Sequence, residues 1–438
     1  MTRGRDAPAQ ALLAIGGKGH DFDLGAAQIY TESQPHPCSP GALSLGLRLG
    51  RRGLPRPLVS CLRRMPHSPD CPTVLRQTCT AQARQASCFA FTPTGPIMSD
   101  TLTFPHADAP PPGTLRPVAP GVFWLRMPLP FALDHINLWV LEDGPGWTLI
   151  DTGLASETTR DLWRTLLAGP LAGRPVTRLI CTHFHPDHMG LAGWLERDYQ
   201  VPLWATLGEW TYARMLWLEQ DETYVGLARA FYARAGLDEA RLALVDKRGN
   251  AYARGIVAPP TQVRRLQHGE SLTIGGRSWR VIVGLGHAPE HAALWCADDQ
   301  ILISGDQILP RISPNVSVWP NEPWANPLEG FLTSLGRFAP LDADTLVLPS
   351  HGSPFFGLHD RLETLAGHHQ DRLDEVLCAC RTQALSPLEA VDVLFRRPLD
   401  SHQVFFALGE AIAHLHWLEE RGLVERQGLL EKNTFKGI

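Results

Sequence analysis

A short histidine-rich segment, Thr-His-Phe-His-Pro-Asp-His at 182–188, combines side chains that bind metal ions. Imidazole nitrogens and carboxylate oxygens are donors that zinc accepts alongside thiolates. The segment lies between an apolar strand pattern and a predicted helix, so His183 and His185 can turn to one side of a loop and share an ion. Asp187 and His188, at the N-terminal end of the predicted helix, can bind a second ion. The alternative is a solvated turn that contains three histidines by chance.

Three further metal-binding side chains each follow a predicted strand. They are His287 in Gly-Leu-Gly-His-Ala-Pro-Glu-His, Asp306 in Ile-Ser-Gly-Asp and His351 in Leu-Pro-Ser-His-Gly. Sites in α/β proteins usually lie just beyond the carboxyl ends of strands. A single such residue is more often a hydrogen-bonded loop residue, but four loops that agree in residue type predict one shared metal site.

The elements that must position these loops alternate between short strands and amphipathic helices from about 114 to 355. Such alternation indicates an α/β protein in which helices cover sheets. Strands are predicted at 122–126, 136–142, 148–151, 178–182, 202–205, 279–283, 292–296, 301–304 and 345–348. Helices are predicted at 157–167, 189–197, 207–219, 222–235, 238–246 and 327–338.

The remaining residues, 356–438, follow a mostly helical pattern. Helices are predicted at 360–380, 387–395 and 401–421. Gly422 then ends the last helix, and 423–426 with 429–432 form a predicted hairpin around Gln427-Gly428. Helices followed by a small hairpin favour a winged-helix-like C-terminal domain.

The first 97 residues differ in composition from the rest. They contain five of the nine cysteines, none of the 13 tryptophans, and 11 Lys and Arg against 5 Asp and Glu. Because no strand or helix period is sustained there, we interpret 1–97 as a disordered or misassigned segment, and 98–113 as a linker. No run approaches eighteen uninterrupted apolar residues and no signal peptide is recognisable, which predicts a cytoplasmic protein without a membrane partner.

The charge of the main body limits its partners. Residues 1–97 have a net charge of +6, which leaves −11 for 98–438. General nucleic-acid binders neutralise phosphates with Lys and Arg, so an acidic body disfavours a nucleic-acid partner and favours a small-molecule substrate.

The ordered motifs closely resemble those of the metallo-β-lactamase superfamily over about 114–355. Asp151, in Thr-Leu-Ile-Asp-Thr-Gly, matches the first motif of that family, and 182–188 matches the second. His287, Asp306 and His351 match the later motifs. The resemblance implies an αββα sandwich, in which two sheets face each other, helices lie outside and the metal ions lie along one edge.

By position, the resemblance implies two zinc ions, with iron or manganese as alternatives. The implied ligands form two groups: His183, His185 and His287 around one ion, and Asp187, His188 and His351 around the other. Asp306 would bridge the ions, and Asp187 would help to orient a bridging hydroxide, which makes these two carboxylates the predicted catalytic residues.

The residue types of the predicted ligands disfavour some subfamilies of this superfamily. One major class of binuclear β-lactamases has a cysteine where this chain has Asp306, which disfavours antibiotic hydrolysis. Flavodiiron oxygen reductases have glutamate at the position of His185. The set is instead similar to glyoxalase II, to dinuclear lactonases and to several RNA-processing relatives. The tail resembles the winged-helix appendage of one group of these hydrolases.

The resulting hypothesis is a hydroxyacylglutathione hydrolase-like enzyme that cleaves a thioester or ester with a metal-bridging hydroxide. The alternatives are a phosphodiesterase or endoribonuclease of the same fold, a lactonase, and a mononuclear-iron sulfur dioxygenase. The seven-residue ligand set disfavours the last of these.

Several other residues have two interpretations. Asp151 is expected to accept a hydrogen bond from a ligand imidazole, with a strand-end cap as the alternative. His291 is a further candidate for supporting a ligand, with an ordinary loop histidine as the alternative. His135 and Asn137 are interpreted as structural. Aromatic residues at 204–232 follow helical spacing and are interpreted as core, with the roof of the substrate cleft as the alternative.

We predict that a chain beginning at Met98 keeps the melting temperature, metal content and turnover of the full-length protein. The reason is that 1–97 lacks the large apolar residues that build a core. The two forms are compared by calorimetry, elemental analysis and steady-state kinetics. Loss of folding or activity in the shorter chain would show that the segment is a structural element.

Overall fold

The computed structural model describes residues 102–400, 403–428 and 432–438. The prediction for 1–97 lies outside the described residues. Within the described part, no helix has both the length and the apolar character that a membrane span requires. Thr103 forms an antiparallel bridge with Phe356, so the described chain is paired with the body of the protein almost from its first residue.

The first sheet has seven strands that follow one another in chain order. They are β1 Leu115–Ala119, β2 Val122–Pro128, β3 His135–Asp143, β4 Gly146–Ile150, β5 Val176–Ile180, β6 Leu203–Thr206 and β7 Arg264–Leu266. The first four strands are antiparallel, and from β4 onward the pairings are parallel. Parallel neighbours bring the carboxyl ends of β4 and β5, and the loops that follow them, to the same edge.

The second sheet has five strands in the order β12-β11-β10-β9-β8. They are β8 Ser271–Ile274, β9 Arg277–Gly284, β10 His291–Cys296, β11 Ile301–Gly305 and β12 Leu346–Pro349. The pair β11 and β12 is parallel, so Asp306 and His351, which follow these strands, emerge at one edge.

The two sheets face each other across a shared core because successive side chains of a strand point to opposite faces. On β2, Trp124 joins the core between the sheets, whereas its neighbour Leu125 packs on the helices outside. On β9, Val281 and Ile282 divide in the same way. The predicted αββα sandwich is confirmed.

Helices cover the outer face of each sheet. Those of the sandwich are α1 Glu157–Ala168, α2 Pro186–Met189, α3 Ala192–Tyr199, α4 Leu207–Leu218, α5 Glu222–Arg234, α6 Glu239–Arg248 and α7 Pro327–Leu335. Trp163 of α1 and Leu195 of α3 pack on the first sheet, and Phe331 of α7 packs on the second. The single helix predicted at 189–197 is instead divided into α2 and α3.

The C-terminal part contains α8 Leu358–Thr382, α9 Pro387–Leu394, α10 Gln403–Glu420 and the hairpin strands β13 Val424–Gln427 and β14 Thr434–Gly437. Of the second hairpin strand predicted at 429–432, residues 429–431 lie outside the described residues, and the described strand that pairs with β13 is β14. Phe435 is the residue that anchors the strand, because it is buried and exchanges backbone hydrogen bonds with Leu385. The helical character of this part is confirmed, and the winged-helix assignment stays a prediction.

Candidate metal centre

The four predicted loops converge at one edge of the sandwich. The segment 182–188 leaves β5 and enters α2, His287 follows β9, Asp306 follows β11 and His351 follows β12. Six of the seven predicted ligands are buried, and His185 is half-buried. The fold therefore brings every predicted ligand into one cluster of imidazoles and carboxylates.

Three imidazoles, His183, His185 and His287, form what we call the His183 group. His183 Nε2 lies 2.8 Å from His185 Nδ1 and 3.3 Å from His287 Nε2. The three nitrogens that could bind an ion lie within 4.8 Å of one another. Ring nitrogens that face each other at these distances are arranged as the ligands of a single ion.

A second cluster, which we call the Asp187 group, consists of Asp187, His188 and His351. Asp187 Oδ2 lies 3.7 Å from His188 Nε2 and 3.4 Å from His351 Nε2. Asp306 lies between the two groups: one carboxylate oxygen is 3.4 Å from His188 Nε2, and the other is 3.5 Å from His287 Nε2. This carboxylate therefore lies within 3.5 Å of an imidazole nitrogen of each group.

The cluster contains buried polar atoms that have no hydrogen-bond partner among the described residues. They are Asp187 Oδ2, His188 Nε2, Asp306 Oδ1 and His351 Nε2. A buried polar group without a partner costs roughly 1–3 kcal/mol, so unpartnered groups are rare in folded proteins. All four atoms face into the cluster, and all four are metal donors, so the residues fit a divalent metal.

Asp151 supports the cluster from the end of β4. Its carboxylate accepts hydrogen bonds from His188 Nδ1 at 2.8 Å and from the backbone N–H of Thr182 at 2.7 Å. The residue has φ of 64°, in the left-handed region that non-glycine residues rarely adopt. Such strain is found where the surroundings fix a functional side chain. Here it aims the carboxylate at the far nitrogen of a ligand imidazole.

Two other predicted ligand imidazoles, His287 and His351, are fixed in the same manner, each through the ring nitrogen that points away from the cluster. His287 Nδ1 donates to the carbonyl of Asn315 at 2.9 Å, and His351 Nδ1 donates to the carbonyl of His135 at 2.8 Å. A donor bond at Nδ1 leaves the Nε2 lone pair directed at the metal position.

His291 supports a carboxylate ligand instead of an imidazole. Its Nε2 accepts from the backbone N–H of Asp306 at 3.1 Å, and the whole side chain is buried. The contact requires Gly305, because a Cβ at that position would lie 2.3 Å from His291 Nε2. The residue therefore fixes the turn that presents Asp306.

Asn137 is buried below the loop that carries His351. Its amide donates to the carbonyls of Pro349 and Gly352 at 2.9 and 2.7 Å, and it accepts from Trp124 Nε1 at 2.8 Å. It therefore contributes to the site by holding this loop, in keeping with its interpretation as structural.

The charges of the cluster divide it into two halves. Burial opposes protonation of His351, but the carboxylates of Asp306 and Asp187 outweigh burial and raise its pKa to about 10. His188, beside the same carboxylates and Asp151, likewise has a pKa well above its usual value, although burial acts against it. In the His183 group, burial lowers the pKa of all three imidazoles. The His183 group therefore offers neutral nitrogens, whereas the imidazoles of the Asp187 group face carboxylates that favour their protonated forms.

Glu209, at the start of α4, joins two of the loops and was not found from the sequence. Its carboxylate accepts from the backbone N–H of Phe184 at 2.8 Å and of Glu290 at 2.6 Å. Burial raises the pKa of this carboxyl to about 8, against the effect of the two hydrogen bonds. The residue thereby ties the loop of His183 to the loop of His287.

A cleft opens beside Asp187 with an empty volume of about 1070 Å³, part of it open to solvent. Its walls are mainly aromatic and apolar, and include Phe184, Tyr212, Leu216, Tyr224, Tyr232, Tyr252, Trp319, Phe405 and Phe406. Among the described residues that line it, Arg248 is the only lysine or arginine. Tyr212, Tyr224 and Tyr232 of α4 and α5 line the cleft and also pack in or against the cores, whereas Phe231 and Trp210 contribute to the cores without lining the cleft.

Residues 132–351 match the metallo-beta-lactamase superfamily, and this range is half of the 438-residue chain. The chain belongs to the metallo-beta-lactamase superfamily. It is a metallo-hydrolase of that superfamily, and residues 373–430 match a metallo-beta-lactamase-like C-terminal domain. Membership implies that the chain binds a divalent metal, in agreement with the donor set described above.

Two solved structures show the same relationship. A beta-lactamase domain protein from Burkholderia ambifaria is 45% identical, with a TM-score of 0.72 over 77% of this chain and 98% of that chain. A metallo-beta-lactamase family protein from Thermus thermophilus is 30% identical, with a TM-score of 0.63 over 74% of this chain and 100% of that chain.

Two curated relatives are more distant. A probable metallo-hydrolase of Bacillus subtilis is 23% identical over 68% of this chain and 92% of its own length. An acyl-coenzyme A thioesterase of Gallus gallus is 26% identical over 44% of this chain, and the match spans 65% of the thioesterase.

We predict that Glu209→Ala lowers the free energy of unfolding by roughly 2–4 kcal/mol, because two backbone N–H groups lose their acceptor. Glu209→Gln retains one side-chain oxygen and should give an intermediate loss. Urea unfolding of the three proteins, with metal content measured on the same samples, checks this. Wild-type stability in the alanine variant would contradict the assignment of Glu209 as the link between the loops.

Proposed function

We propose that this chain is a binuclear zinc hydrolase that cleaves thioesters or esters of an apolar acyl group. The observation that carries the proposal is the position of the metal-binding cluster, which opens at Asp187 and His185 onto the aromatic cleft. A hydrolytic centre at the end of an apolar cleft is suited to a substrate whose acyl group fills the cleft while its carbonyl reaches the metal ions.

The two groups of the cluster divide the work of holding the ions. The His183 group would hold one ion, the Asp187 group the other, and Asp306 would lie between them. When bound, the ions would supply Lewis acidity toward water and toward the scissile carbonyl. Iron and manganese accept the same nitrogen and oxygen donors, so zinc is proposed as the first metal to test.

The protein's own groups orient the reactants. Asp187 belongs to the cluster and also lines the cleft, so its carboxylate is placed to accept a hydrogen bond from the attacking water. Burial raises the pKa of Tyr212 and of Tyr232 above the ordinary tyrosine value, so both phenols keep their protons and can donate to a substrate oxygen. The hydroxyl of Tyr252 donates to the carbonyl of Phe184, which assigns it to holding the loop.

The single arginine that lines the described cleft suggests that the leaving group is anionic. Arg248 lies over the rings of Phe405 and Phe406, at 5.3 and 6.0 Å from their centroids, and lines the cleft with them. A guanidinium among aromatic walls favours an anionic group, such as the phosphates or carboxylates of a thiol carrier. The similarity to an acyl-coenzyme A thioesterase supports the same substrate class.

The metal assignment predicts that the purified protein holds close to two first-row metal ions per chain. Asp306→Ala should lose at least one ion and reduce turnover by roughly two orders of magnitude or more, because even residues that only support a ligand contribute 10–100-fold. Elemental analysis and kinetics measure both effects, with exposed Asp344→Ala as the matched control. Active protein without bound metal would refute the proposal.

The substrate assignment predicts that acyl thioesters are cleaved far faster than bis-p-nitrophenyl phosphate or RNA. The rate should show little dependence on salt, because an acidic body does not bind polyanions through many phosphate contacts. Preference for RNA that weakens steeply with added salt would instead establish the nuclease alternative.

The same substrate panel tests Arg248. Arg248→Gln should raise KM for thioesters of an anionic carrier by about tenfold, the loss of one charge-assisted hydrogen bond, with kcat largely retained. Hydrolysis of a neutral thioester should change little. Arg241→Gln is the matched control, because Arg241 lies on the same helix, is exposed and does not line the cleft. Equal effects on anionic and neutral substrates would exclude Arg248 as an anion-binding residue.

A further inference from the structure

The segment 315–318 connects a metal ligand to the C-terminal helix α10. At one end of the segment, the carbonyl of Asn315 accepts the hydrogen bond from His287 Nδ1 at 2.9 Å. At the other end, the backbone N–H of Val318 donates to the carbonyl of Gly409 on α10 at 3.1 Å. A stretch of four residues thus separates the His183 group from a helix that the superfamily match over 132–351 does not include.

Side chains reinforce this connection. Asn315 Nδ2 donates to Glu410 Oε2 at 3.4 Å, and Ser317 Oγ lies 2.7 Å from Asn315 Oδ1 and 3.2 Å from the carbonyl oxygen of Phe406. Ser317 and Glu410 are both buried. These contacts together fix the position of Asn315, whose carbonyl sets the orientation of His287.

Gly409 permits the close approach. A Cβ at this position would lie 2.7 Å from Ser317 Cβ and 3.0 Å from the carbonyl oxygen of Val318. Distances below 3.0 Å do not occur between real Cβ atoms and their neighbours, so any larger residue must displace the segment. The helix and the segment are therefore in backbone contact, which transmits a displacement of one to the other.

The helix is in turn held to the body by a buried pair of histidines. His414 Nδ1 donates to the carbonyl of Glu410 at 2.8 Å, and its Nε2 lies 3.3 Å from His369 Nδ1 of α8. His368, His369 and Glu410 are close enough to resemble another metal site. However, His369 Nε2 already lies 3.4 Å from Ser313 Oγ, so both of its nitrogens have partners and its role is structural.

We propose that Gly409 and Glu410 are positioning residues for the metal centre. They fix segment 315–318 so that Asn315 holds His287 with its Nε2 lone pair directed at the metal position. The C-terminal helix α10 thus supports the His183 group by fixing the orientation of His287. The inference rests on the proposed metal site, since it concerns how one ligand of that site is oriented.

The test is a titration of metal-free protein with Co²⁺ and with Zn²⁺ against a chromophoric chelator. Gly409→Ala and Glu410→Ala should each weaken the affinity of the protein for one of the two ions by about 10–100-fold. Each should also change the visible absorption of the Co²⁺ form. Glu410→Gln should bind both ions as wild type does, because its amide oxygen still accepts from Asn315. Gly367→Ala, a helix glycine with nothing near its Cβ position, is the matched control and should change neither ion.

The outcomes separate the inference from the metal site itself. Wild-type protein that binds no ion would overturn the metal site. Wild-type protein that binds two ions, with folded Gly409→Ala and Glu410→Ala variants that bind them equally well, would overturn only the role of α10. If Gly409→Ala does not fold, the contrast between Glu410→Ala and Glu410→Gln decides, because only a positioning role is rescued by the amide.

Discussion

Imidazole and carboxylate groups that could bind metal ions face one another in a buried cluster at one edge of the sandwich. Four of the imidazole and carboxylate atoms of Asp187, His188, Asp306 and His351 are buried without a hydrogen-bond partner. Because an unpartnered buried polar atom destabilises a fold by about 1–3 kcal/mol, this arrangement persists only if something else in the molecule enforces it and if a cation completes it. The rest of the structure holds these side chains in this arrangement.

The imidazoles are held by hydrogen bonds to the ring nitrogens that point away from the cluster. Asp151 accepts from His188, and the carbonyls of Asn315 and His135 accept from His287 and His351. Each acceptor is held in place in turn. Asp151 has a left-handed backbone conformation after β4, Asn315 is hydrogen-bonded to Glu410 of α10, and His135 is the first residue of β3. The sheets supply rigidity because their shared core is closely packed, so a ligand that must move would have to move a strand.

Local motifs made the seven candidate ligands predictable, because each ligand lies within a few residues of an apolar strand pattern. The sandwich was expected from the resemblance of these motifs to those of the metallo-β-lactamase superfamily. Strands β1, β7 and β8 were not predicted. Strand β1 contains Pro117, which argues against a strand, and β7 exposes Arg264 and Arg265 and has no apolar alternation. Strand β14 is not predicted by the local sequence, because it is held by the pairing of Phe435 with Leu385, which is distant along the chain. Glu209 was missed for the same reason: its partners Phe184 and Glu290 lie far away in sequence.

The central claim is that two groups of side chains from four loops hold two metal ions with Asp306 between them. Anomalous diffraction at the zinc edge, from crystals grown with Zn²⁺, tests this claim directly. The account predicts two peaks in the cluster, one bounded by the His183 group and one by the Asp187 group, with the carboxylate of Asp306 in contact with both. A single peak, or peaks outside the cluster, would contradict it.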